Sequence, residues 1–283
     1  MEKNIVRNRL TKNITSLSLD KDELRRFLNI LQERANAICE IECKKIESFS
    51  DVNLEKAKEN LKTCAPLNIT ITGKQSEELF GTIDEVFNSV SFPERIKSLY
   101  VNSNLSYKTL FNYYTENSFE IIIDFSKPKV FDFTFQPNEK TPNDSVFRVE
   151  GSDNTLVNGV FHEIDSYVNG KPAIFSKIHN GSIYSLLIWF LGIPFGFWAC
   201  LKLSFFANTF IENDIFLRNA FFVYVFFVSL FVLRILFHYF RWVYPMIEYR
   251  SKKERSIIHQ AALFSIIIGL IGKFIYDVFS HIF

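Results

Sequence analysis

The chain has 283 residues, enough for one or two domains, and a formal net charge of +1 from 32 Lys/Arg, 31 Asp/Glu and neutral histidines. That total hides a split: residues 1–180 carry 23 Lys/Arg against 26 Asp/Glu, whereas residues 181–283 carry 9 against 5 and hold phenylalanine-rich runs unlike those of a water-soluble domain. Cys39, Cys43, Cys64 and Cys200 lack zinc-ribbon spacing and the charged first thirty residues contain no signal-peptide core, so reduced thiols and an unexported head are expected.

Asp20 and Glu23 fit a capping box, and Leu24, Phe27, Leu28, Leu31, Ala35 and Ile38 recur at helical spacing, which predicts a helix over 21–46. A second helix is predicted over 53–64, stopped by Pro66, so residues 1–65 read as a helical region. From 66 to 170 the pattern is α+β: strands over 67–72 and 96–102, a short helix over 83–90, and a further strand over 110–115. The strongest strand signal is 119–125, where Phe119, Ile121, Ile123 and Phe125 share a face; it reads as one arm of a hairpin with 131–135. After a loop over 136–145 come a strand over 146–150 and a helix capped by Ser152 or Asp153, with Val157, Val160, Ile164 and Val168 on its apolar stripe. The fold class is thus an α+β head, a mixed or antiparallel sheet with flanking helices, ahead of an all-α membrane domain.

Residues 171–182 form a connector too short for a loose tether, and 183–283 read as a transmembrane domain. Residues 183–201 and 219–240 are apolar enough to cross the roughly 30 Å hydrocarbon layer. The third segment, 259–281, reads as a span or an interfacial helix; a span is favoured, because Lys273 and Asp277 at i and i+4 can neutralise each other. Positive charge concentrates between the second and third segments, in Arg241, Arg250, Lys252, Lys253 and Arg255, which places that loop and the head inside, with Trp242, Tyr244 and Tyr249 as an interfacial belt. The same cluster is thereby explained without a nucleic-acid partner.

The run Ile71-Thr-Gly, Glu78-Leu-Phe-Gly81, Phe92-Pro-x-Arg-Ile-Lys-Ser-Leu-Tyr100, Phe119–Phe125 and Gly151-Ser-Asp to Phe161 ahead of a membrane segment resembles a group of uncharacterised bacterial membrane proteins. The layout also resembles the transmembrane effectors of phage-defence systems, which implies an inner-membrane protein that disrupts the bilayer when triggered.

Chemistry is sparse. Phosphate-loop, Gly-x-Ser-x-Gly and His-Glu-x-x-His motifs are absent, so neither an enzyme nor a cofactor is expected. Glu120, Asp124 and Asp132 form a candidate carboxylate cluster that reads more simply as a solvated sheet face, and His162 reads as exposed. Cys39 and Cys43 share a helical face without completing a metal set. The candidate packing or gating residues lie in the membrane segments: Gly192, Pro194 and Gly196, a small-xxx-small spacing with a helix-distorting proline, and the ionisable Arg234, Lys273 and Asp277, with snorkelling the simplest account of Arg234. The expected partners are the lipid bilayer, further copies of the chain, and a cytoplasmic protein or small-ligand trigger.

Overall fold

The computed structural model describes residues 7–47, 54–131, 141–211, 214–251 and 255–282. The chain forms two compact units, one of residues 1–126, 143–173 and 247–254, the other of 127–142, 174–246 and 255–283.

The first unit is built on a six-stranded antiparallel sheet of β1 (Asn8–Asn13), β3 (Asn68–Gly73), β4 (Glu78–Thr82), β5 (Ile96–Asn102), β6 (Ser118–Asp124) and β7 (Val146–Gly151), in the order β1-β7-β6-β5-β3-β4. The period-2 pattern seen in the sequence sets one face inward: Ile69, Ile71, Leu99, Val101, Phe119, Ile121, Ile123, Phe147 and Val149 are all buried. Helices α1 (Lys21–Ile46) and α5 (Asn154–Asn169) supply apolar stripes for this core and are joined by the Arg34–Glu163 ion pair and by Phe27 stacked on Tyr167 at 4.9 Å. Asp20 caps α1 as the box predicts, accepting from the Glu23 N–H at 2.8 Å while Glu23 accepts from the Asp20 N–H at 3.0 Å. Asp20→Ala is expected to destabilise the first unit by about 1 kcal/mol, read from urea unfolding of the detergent-solubilised chain.

Several expectations change. The region 1–65 is not wholly helical: besides α1 and α2 (Leu54–Cys64) it contains β1 and β2 (Leu17–Leu19). β1 carries a single strong apolar residue, Leu10, among Arg9, Thr11 and Lys12, which suits an edge strand. The stretch 110–115 is not a strand; α4 (Leu105–Phe111) ends in Asn112, whose left-handed backbone (φ 49°) stops the helix. The hairpin partner expected over 131–135 lies outside the described residues except for Phe131, and both edges of β6 are taken by β5 and β7. Short α3 (Ile83–Asn88) lies where a helix was expected.

Residues 247–254 belong to the first unit although they lie between two apolar helices in sequence. Within them β8 (Ile247–Tyr249) pairs in parallel with β2, and Tyr249 is buried edge-on to Phe125 at 6.0 Å. Tyr249 therefore serves the head's core and not an interfacial belt.

The second unit is helical: α6 (Gly181–Leu187) runs through a π-helical turn, Ile188–Gly192, into α7 (Ile193–Phe210), followed by α8 (Ile215–Val243) and α9 (Arg255–Ile282). Gly181–Phe210 and Ile215–Val243, of 30 and 29 residues, are long and apolar enough to cross a membrane. Only 11% and 22% of their most apolar windows are buried, whereas the core helix of a soluble protein would be mostly covered.

Candidate functional sites

Two sites emerge, one in each unit. In the first, a single carboxylate gathers three strands of chain. Glu23 Oε1 accepts from Lys171 Nζ at 2.7 Å, and Glu23 Oε2 accepts from Arg250 at 2.6 Å as well as from the Asp20 N–H. Around it the Arg250 N–H donates to the Leu19 carbonyl at 2.7 Å, the Ser18 N–H to the Lys171 carbonyl at 2.8 Å, and the Tyr167 hydroxyl to the Glu23 carbonyl at 2.7 Å. Lys171 stands just before the chain leaves for α6, and Arg250 stands between α8 and α9. The 16–23 segment thus holds the chain on both sides of the apolar helices. Burial alone would raise the Glu23 pKa, but the bonds from Lys171, Asp20 and Arg250 outweigh it and bring it down to about 2. The carboxylate is charged at any physiological pH.

In the second unit, α7 and α8 pack closely because glycines remove the side chains between them. A Cβ on Gly196 would stand 2.7 Å from the Phe226 ring, and one on Gly192 would stand 3.1 Å from Leu230 and Leu233. The small-residue spacing found in the sequence is therefore used within the chain, against α8. Cys200 crosses the same seam, its Sγ 3.4 Å from the Phe222 carbonyl. Pro194 lies at the start of α7, where its ring would crowd the carbonyl four residues earlier; the wider π turn immediately upstream makes room for it.

One end of α8 is a polar junction. Arg241 is buried, its Nε donating to the Ile178 carbonyl at 3.2 Å and its guanidinium 4.4 Å from the Phe237 ring centroid. His179 is buried between the Tyr244 carbonyl, 2.7 Å from Nε2, and the Thr141 hydroxyl, 2.8 Å from Nδ1. A carbonyl can only accept, so Nε2 carries the proton and Nδ1 accepts from Thr141. Burial pulls the His179 pKa down, which suits this neutral tautomer. The start of α9 is tied to the end of α8 by the Tyr239 hydroxyl and His259 Nδ1 at 2.8 Å, and by Gln260 donating to the Val243 carbonyl at 2.9 Å.

Of the ionisable candidates, Arg234 is 9% exposed and donates to His238 one turn along at 3.4 Å. Lys273 lies exposed on α9; the side chain of Asp277 falls outside the described residues. Of the candidate carboxylate cluster, two members are described. Glu120 pairs with Arg148, Asp124 accepts from the Ser126 N–H, and Asp132 lies outside the described residues. Cys39 packs with Leu61, Cys64 and Tyr107, and among the described residues no group of three or more potential ligands could hold a metal. His162 is exposed.

Sequence reasoning found Glu23 as a capping residue only, because Lys171 and Arg250 lie 148 and 227 positions away. No family model, no curated protein and no solved structure matches the chain, so its function is read from its own residues.

Proposed function

We propose that the chain is a multi-pass inner-membrane effector in which a cytoplasmic α+β head, on sensing a protein or small-ligand trigger, controls a small transmembrane bundle and disrupts the membrane in bacterial antiviral defence. The observation that carries this reading is the Glu23 node. It binds the segment leading into the first apolar helix and the strand between the second and the following helix to the N-terminal cap of α1, so a rearrangement of the head would pull on the helices through both. The loop basicity, the apolar exposed helices and the resemblance in layout to phage-defence effectors support the orientation and the membrane role. In this reading α9 is a third span, and copies associate through the exposed faces of the bundle.

The reading is tested by expressing the full chain in bacteria, with and without phage challenge, while following a potential-sensitive dye beside Gly196→Leu and Asp277→Leu variants. Depolarisation by the parent chain and its loss in the variants is the expected result. A parent chain that never depolarises cells under either condition rules the effector reading out.

The alternative is a non-catalytic anchor or scaffold whose head binds a cytoplasmic partner. It is favoured by one observation: Gly192 and Gly196 are already consumed by packing within the chain, which makes a stable helix pair without any second copy. On this alternative the head moved to a substitute anchor keeps its function.

A further inference from the structure

The sheet's second face carries no helix from the α1/α5 layer, and it holds a cleft of about 290 Å³ between β1, β7, β6, β5 and α4. This is close to the lower end of the roughly 300–1,000 Å³ of small-molecule sites. The polar groups in it are ordered by one another. Arg9 pairs with Glu150 at 2.6 Å and Arg148 with Glu120 at 2.8 Å; the Tyr100 hydroxyl donates to the other Glu120 oxygen at 3.2 Å and accepts from Asn102 at 3.0 Å.

The balance of donors decides what fits. Both carboxylates are met by internal donors, Glu120 through both oxygens, whereas the guanidinium groups of Arg9 and Arg148 keep N–H groups beyond those pairs. Lys108 adds three donors and, among the described residues, has no carboxylate within ion-pair distance; its ammonium lies 5.6 Å from the centroid of the half-exposed Tyr114 ring. Three cations against two satisfied carboxylates leave one positive charge and a surplus of donors beside a flat aromatic wall. An acceptor-rich anion with a planar ring matches both, because a charged oxygen group takes the donors and the ring lies on tyrosine.

We infer that this cleft binds a small aromatic acid, a planar ring bearing a phosphate or carboxylate, with Lys108 meeting the acid group and Tyr114 the ring. The inference goes beyond the membrane role and stands whatever the helices do.

It is tested by ligand-observed saturation-transfer NMR and calorimetry on the full chain in detergent, with phenyl phosphate, benzoate, inorganic phosphate and phenol as probes. Phenyl phosphate or benzoate is expected to bind at least tenfold more tightly than inorganic phosphate and phenol, each of which offers half of the chemistry; which acid binds better identifies the acid group. Lys108→Glu and Tyr114→Ala, both at exposed positions, should each weaken that binding at least tenfold, and Lys108→Arg should retain it. Equal affinity for all four probes, no binding, or binding unchanged by Lys108→Glu overturns the assignment. Because no membrane readout enters, the result is independent of whether the chain depolarises cells.

Discussion

Replacing Glu23 by alanine is expected to loosen the C-terminal end of β8 and to speed exchange of the Arg250 amide that follows it. The substitution removes the acceptor for Lys171, Arg250 and the Asp20 N–H at once. Hydrogen bonds to a charged group are each worth roughly 1.5–3 kcal/mol. The Lys171 and Arg250 side chains are 40% and 48% exposed, however, and water replaces much of what they lose, so the net cost is about 2 kcal/mol. That energy corresponds to about a thirtyfold loss of protection at the Arg250 amide, measured by hydrogen exchange on the full chain in detergent. Protection that survives the substitution would mean that the node does not hold the strand. A pH series separates charge from shape. The folded carboxyl titrates near 2 against an ordinary value of 4.5, so its contribution is complete above that ordinary value and is lost as the pH falls toward 2. Glu23→Gln has nothing to titrate and should remove that acid-dependent component of β8 opening.

Gly196→Leu should separate α7 from α8. Even the first carbon of a new side chain meets the Phe226 ring at 2.7 Å, inside van der Waals contact, and three further carbons have no space to enter. Overpacking of this kind costs about 1–3 kcal/mol, and it falls on the closest approach of the two helices. A direct readout uses Cys200, which faces the Phe222 backbone. A Phe222→Cys substitution should allow oxidative cross-linking to Cys200 in the parent background. Adding Gly196→Leu should reduce that cross-link severalfold, while Gly192→Ala, whose contacts are the ends of two leucine side chains, should leave most of it. Cross-linking that is indifferent to Gly196→Leu would place the helices further apart than the structure has them.

The elements that the sequence revealed are those whose signals are local. The capping box at Asp20, the apolar stripe of α1, the alternation in β5 and β6 and the long apolar helices all depend on residues within a few positions of one another, and each forms where expected. Among the missed elements, β2 and β8 are the shortest and depend on a distant partner. β2 and β8 have three residues each, too few for a period to register, and they exist because they pair with each other. The candidate sites divide the same way. Gly192 and Gly196 are visible as a small-residue face, but the side that they face, Phe226 with Leu230 and Leu233, is a matter of packing. Tyr114 lies in the stretch 110–115 that reads as a strand, and Lys108 just before it carries no signal of its own; nothing local announces the turn of α4 that sets both against a cleft shared with β1 and β7.

The pairing of β2 with β8 imposes an order of events during synthesis. Leu17 and Leu19 are at most 1% exposed, yet the strand beside them begins at Ile247, after both long apolar helices have left the ribosome. The first unit therefore carries an open seam during synthesis until both of those helices have been made. The finished first unit is in this sense a receipt for completed synthesis: a chain that stalls before Ile247 leaves β2 without its partner and lacks Arg250 at Glu23.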